Sequence, residues 1–206
     1  MKKIRKEILH RNETNDQALR SFQMMDKAGL RYDIDHIFGI PGEEEQDFFE
    51  AARMYAGLKK LNRIKCHLLS YFPGTPIVEQ AHREGLIDDD RMDQINRGEI
   101  GDYFHSPTVN DKKALARIND FHRLYKAITV IPRPMVEIIL RTRLNRYFGK
   151  LPTPVVIGFQ ILGAFKGRDY RFWLYAKYYF HRLTRHFLLR RLFREPEPAP
   201  ATIPAR

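Results

Sequence analysis

The sequence predicts an α/β fold that runs on into a mostly α-helical, basic extension. Three observations carry this. Through the first 87 residues, two short apolar runs alternate with segments of helical period, and each run ends in a Pro-Gly turn. That order gives parallel strands joined by helical crossovers. Beyond residue 110 no strand pattern recurs and the apolar spacing stays helical. The charge divides at the same place: residues 112–194 hold 19 Lys/Arg against 3 Asp/Glu, and the rest holds 17 against 22. The expected organisation is therefore an α/β part over 1–87, a linker over 88–109, a basic helical extension over 110–194 and a tail over 195–206.

In chain order, Ile4, Ile8 and Leu9 share one face of a helix over 2–10. Thr14-Asn15-Asp16-Gln17 has the form of a capping box, and Gly29 is placed to end the helix it opens. Leu19, Phe22, Met25 and Ala28 fall on one side of that helix. Residues 32–38 alternate as a strand, followed by a Gly39-Ile40-Pro41-Gly42 turn. Glu43, Glu44, Glu45 and Asp47 then place negative charge at a helix start, where the dipole favours it. Phe48, Phe49, Ala52 and Tyr55 give this helix an apolar face. A second strand is expected over 63–70, then a rigid Pro73-Gly74-Thr75-Pro76 turn. Helices follow over 77–84, about 86–96, 110–129, 135–147, 154–165 and 170–193, with 97–109 a loop. The tail carries Pro196, Pro198, Pro200 and Pro204 with almost nothing large and apolar between them, so disorder is expected there.

Composition excludes several classes. With Cys66 as its single cysteine the chain has no internal disulfide framework, which fits a reducing, cytoplasmic compartment. The basic N-terminus lacks the apolar core of a signal peptide, and no run of 18 apolar residues predicts a spanning helix. The eight histidines show no metal-ligand spacing, and no nucleophile triad or phosphate-cradling loop is evident. Cys66, inside a strand pattern, reads as a small buried hydrophobe. A parallel sheet is normally covered on both faces. Two strands with two or three helices cannot supply that cover, so further strands are expected from elsewhere, or the α/β part is a fragment.

Four pieces, in order over 2–87, resemble the radical S-adenosylmethionine superfamily, and most closely its cobalamin-binding-domain type. They are Arg5-Lys6-Glu7-Ile8-Leu9-His10-Arg11, the helix ending in Ala28-Gly29, Asp35-His36-Ile37-Phe38-Gly39-Ile40-Pro41-Gly42-Glu43, and Phe72-Pro73-Gly74-Thr75-Pro76. The resemblance implies a partial (β/α)₆ barrel, of which these residues would be the last two strands and their helices. In that family three cysteines of a CxxxCxxC loop hold a [4Fe–4S] cluster, which binds S-adenosylmethionine and cleaves it reductively. One cysteine cannot supply three thiolates. The cluster, and cobalamin where it is used, are therefore expected only in a complete protein. A truncated or split reading frame, with Met1 an internal start, is the simplest expectation. The missing N-terminal barrel half, or a split subunit carrying it, becomes the expected partner, and this chain alone is expected to be inactive.

The resemblance places an arginine for the S-adenosylmethionine carboxylate at Arg11, and a guanidinium fork suits a carboxylate. A solvated helix-end arginine is the plain alternative. Asp35 falls where the family has a ribose-contacting acid; otherwise it is a structural edge carboxylate. Phe38, Gly39, Ile40 and Gly42 match the backbone strip that passes the adenine, where glycine permits close approach; a simple strand-to-helix turn would look the same. Tyr71 and Phe72 could flank a base, although aromatics ahead of a Pro-Gly turn more often pack.

The region 168–194 motivates a second, non-enzymatic reading. Aromatic and leucine side chains there are interleaved with arginines, as in helices that lie in a membrane interface. The apolar 154–165 segment would assist. The expected partner is an anionic membrane surface, reached from its cytoplasmic side, or a partner subunit. Packing on the α/β part is the plain alternative. Nucleic acid is disfavoured, because no recognition motif accompanies the charge.

Overall fold

The computed structural model describes residues 4–100 and 109–169, with Trp173, Leu174, Ala176, Lys177, Phe180 and His181 beyond them. The chain divides into two compact units, Met1–Arg168 and Asp169–Arg206. The expected 170–193 helix lies largely outside the described residues, and the 195–206 tail lies wholly outside them.

The first unit is mixed α and β and mostly helical. A single π-type turn, Ile4–Ile8, precedes α1 (Asn15–Lys27). The Thr14 hydroxyl accepts from Gln17 N at 3.1 Å, and Gln17 Oε1 accepts from Thr14 N at 2.8 Å, so the capping box forms in both directions. Gly29, at φ +73°, ends the helix. No residue of α1 is fully buried: Phe22 stacks on Tyr32, and Met24 is exposed.

Strand β1 (Tyr32–Phe38) pairs in parallel with β2 (Leu61–Leu68), across α2 (Glu45–Ala56). The register sets Asp33 against Arg63, Asp35 against Lys65 and Phe38 against Leu68. β2 begins two residues before the expected 63 and ends at 68, because Leu61 pairs with Tyr32 and is buried while Tyr71 folds back to the end of β1. This two-stranded sheet is all the β structure among the described residues, so the α/β class holds but closure into a partial barrel is not seen.

After β2 come α3 (Pro76–Arg83), α4 (Asp89–Asn96) and α5 (Lys112–Ile128). Asp111 caps α5 through Lys113 N and Ala114 N. α5 lays Phe121, Leu124, Tyr125 and Ile128 on the same face of the sheet as α2, against Ile34, Phe38, Phe48 and Ile64. The Tyr125 hydroxyl donates to Phe48 O at 2.9 Å inside this core. One core is thus built from both sides of the 88–109 segment, and the unit boundary falls at residues 168 and 169 rather than near 110. A second cluster (Tyr71, Val78, Ala81, Ile87, Ile95, Val109) sits beside the C-terminal end of β2.

The helix expected over 135–147 is two pieces: α6 (Arg133–Arg141) and a 3-10 helix, Leu144–Lys150. The break is at Arg143, at φ +58°, whose guanidinium lies 4.5 Å from the Phe49 ring centre and 3.2 Å from Glu45 Oε2. α7 (Thr153–Gly167) closes the unit. Its Gly163 and Gly167 let it approach closely: a Cβ at Gly163 would lie 2.8 Å from the Thr129 hydroxyl oxygen.

Candidate functional site

Burial alternates along β1. Ile34, His36 and Phe38 point into the core, while Asp33, Asp35 and Ile37 point to the opposite face. On that face Asp33 Oδ2 meets Arg63 Nε at 2.9 Å and Lys65 Nζ at 3.6 Å. Asp35 Oδ1 meets Lys65 Nζ at 3.7 Å and His67 Nε2 at 3.3 Å. These are cross-strand pairs of opposite charge: Asp33 is 10% exposed beneath its partners, while the pairs of Asp35 are exposed on both sides and individually weak. The sheet therefore has one apolar, helix-covered face and one charged, open face. Asp35 is 60% exposed, so its carboxylate is available to a ligand.

The open face leads up to the turn at the C-terminal end of β1, the end at which parallel sheets bind ligands. Gly39 and Gly42 take φ of +82° and +79°, the left-handed region that favours glycine. A Cβ at Gly39 would lie 3.0 Å from Leu68 Cδ1 and 3.3 Å from Val109 Cγ2. Glu43 folds back beneath the turn, and its Oε2 accepts from Gly39 N at 2.7 Å and Ile40 N at 3.0 Å. Burial pushes this carboxyl up to about 7, against the two N–H donors that favour its ionised form. Tyr71, fully buried, donates its hydroxyl to Gly39 O at 2.5 Å. Leu69 N donates to Phe38 O at 2.8 Å, and Glu43 N to Ile40 O at 3.2 Å.

Each backbone polar group from Phe38 O to Ile40 O thus already has a partner within the chain. A ligand would meet this strip by surface contact and through second carbonyl lone pairs, without displacing hydrogen bonds. The Phe38 side chain is 1% exposed and stacks with Tyr125, so only its backbone is offered. Ile40 is half-buried and Gly42 exposed. Phe72 is 51% exposed, in a turn closed by the Thr75 hydroxyl donating to Phe72 O at 2.7 Å. Tyr71 packs and Phe72 does not.

Arg11 is exposed after His10, which has φ +48°. It lines a cleft of about 400 Å³ made by residues 5–16, among them Arg5, Thr14 and Asp16. Neither Asp35 nor the 39–42 turn lines that cleft. The structure brings Asp35 and the turn to one end of the sheet; Arg11 lines a different cleft, three residues after Ile8, whose Cδ1 would lie 3.3 Å from a Cβ at Gly42.

The sequence reading missed three contributors. It gave Glu43 to the dipole of α2 alone, although a carboxylate four residues after Gly39 is within reach of the turn's N–H groups. Lys65 and His67 were legible in the alternation of Arg63-Ile64-Lys65-Cys66-His67, which puts every second residue on Asp35's face.

Chemically the site can bind and orient. Nothing in it is poised as a nucleophile: burial pushes the Cys66 thiol up to about 12, and the thiol faces the carbonyls of Ile64 and His122. His36 donates to or accepts from the Tyr55 hydroxyl at 2.8 Å within the core, and burial lowers it to about 4, so it is neutral. Among the described residues no group of three His, Cys, Asp or Glu could hold a metal. No family model matches this chain, nor does any curated protein or solved structure match it.

Proposed function

We propose that this chain supplies part of an S-adenosylmethionine site to a radical S-adenosylmethionine enzyme, as the last two strands of its partial barrel. The observation that carries the reading is the two-faced sheet. In a barrel one face of every strand is covered by helices and the other faces the interior, and the ligand lies at the C-terminal ends of the strands. β1 and β2 have this arrangement, with Asp33, Asp35, Lys65 and His67 on the open side. The half-buried apolar side of α1 fits the same picture, since a further strand would complete its burial. In this role Asp35 accepts from ribose hydroxyls, the 39–42 turn and Phe72 border the adenine, and Arg11 takes the carboxylate.

The residues present do not fit the [4Fe–4S] cluster, because one cysteine cannot provide three thiolates. No step through the cluster is assigned to this chain. Its part is to position the cofactor, and activity belongs to the complete assembly with the strands that carry the cluster. Calorimetric titration of the full chain with S-adenosylmethionine tests this. Saturable binding is expected, with about a tenfold loss on Asp35→Ala and on Arg11→Ala, consistent with one charge-assisted contact each. A folded chain that binds nothing would sink the reading.

A further inference from the structure

We infer that α7, with the cavity at its C-terminal end, is a membrane-docking surface that seats an anionic phospholipid head group. It does not depend on the cofactor reading. Val156, Gly163 and Gly167 pack inward, toward Thr129 and Asn62. The opposite side carries Pro154, Ile157, Ile161, Leu162 and Phe165 at helical spacing, with no charge among them. Ile157, Leu162 and Phe165 are 46%, 54% and 56% exposed. A helix on a water-facing surface presents polar residues there, and a continuous apolar strip in its place marks a binding face.

Charge identifies the occupant. Residues 129–168 hold seven Lys/Arg and one Asp/Glu. Lys166 and Gly167 of α7 line a cavity of about 220 Å³ together with Arg31, Lys59, Lys60 and Arg133. Five cations and no carboxylate line it. The nearby Asp26 carboxylate is turned to the backbone N–H groups of Lys59 and Lys60, at 2.9 and 2.8 Å. At the other end of α7, Lys150 lies over the ring of Tyr147, which is 61% exposed, and tyrosine suits the head-group level. An apolar strip with cations at both ends fits an anionic bilayer surface. A protein partner would need matching carboxylates beside an apolar groove.

Geometry sets the mode. No single helix among the described residues is long and apolar enough to cross a membrane. The 3-10 helix and α7 together have the length and composition of a span but meet at 108°. α7 alone, at 15 residues, is about 22 Å long, against a hydrocarbon core of about 30 Å. It therefore lies in the interface, with Phe165 and Leu162 in the acyl boundary and the cavity at the phosphates.

The test is co-sedimentation of the full chain with phosphatidylcholine vesicles, with and without phosphatidylglycerol. Binding is expected to need phosphatidylglycerol. Leu162→Asp/Phe165→Asp should lower the partition coefficient about tenfold or more, with an unchanged circular dichroism spectrum. Arg133→Glu/Lys166→Glu should reduce binding to the level of phosphatidylcholine alone. Three results would overturn the inference. In one, both variants pellet like the parent, which would place binding in the basic residues beyond 168. In another, the parent is a dimer that Leu162→Asp/Phe165→Asp makes monomeric, without vesicle binding. In the third, inorganic phosphate binds the chain while neither vesicle does, which would make the cavity a site for free phosphate.

Discussion

Glu43 shows how one side chain ties local chemistry to the site. Its carboxylate holds the two N–H groups that shape the turn beside Asp35, and burial raises it from 4.5 to about 7. An acid raised in the folded state contributes stability that is fully present below its unfolded value and is lost as pH rises through the folded one. Stability should therefore fall between about pH 4.5 and 7, by at most about 3 kcal/mol. Denaturant midpoints for Glu43→Gln should lack this slope, since the amide oxygen still accepts both bonds. His36 works in the opposite sense: lowered from 6.5 to about 4, it contributes stability above pH 6.5 that is lost as pH falls through 4. Gly39→Ala should cost about 1–3 kcal/mol by thermal unfolding, because φ is positive and Leu68 stands 3.0 Å from the new methyl. A neutral Gly39→Ala would show that the turn relaxes away from Leu68 and that its shape is not fixed by close approach. Glycines at 39 and 42 were legible from residue type alone. Glu43 and Tyr71 were not, because their partners are backbone atoms made available by the turn itself.

At the scale of elements, capping and termination signals located α1, β1 and α2 well, since each rests on neighbours within a few residues. The kink between α6 and the 3-10 helix escaped because neither glycine nor proline marks it. Arg143 takes a left-handed conformation, with its guanidinium at Phe49 and Glu45, contacts almost a hundred residues away in sequence. The place of α5 escaped for a similar reason. Its stripe of Phe121, Leu124, Tyr125 and Ile128 predicted an apolar face but not which surface it would cover. Leu124, fully buried, provides the check: Leu124→Ala should cost about 2–5 kcal/mol and lower a single unfolding transition shared with the sheet. Two transitions, with only one displaced, would mean that α5 belongs to a separately folding module.

For the whole molecule, the expectation that two parallel strands lack cover is answered by the form of the sheet. One face is apolar under α2 and α5, and the other is charged and open. That division was implicit in the alternation along both strands. The cleft that Arg11 lines was not, since it depends on the chain path around His10. The central claim is that the end of this open face receives S-adenosylmethionine. Site-resolved hydrogen exchange on the full chain, with and without the cofactor, tests it most directly. Slowed exchange is expected at residues 35–42 and around Phe72, with the core amides of α5 unchanged. Cofactor-dependent protection confined to other parts of a folded chain, or none at saturating cofactor, would contradict it.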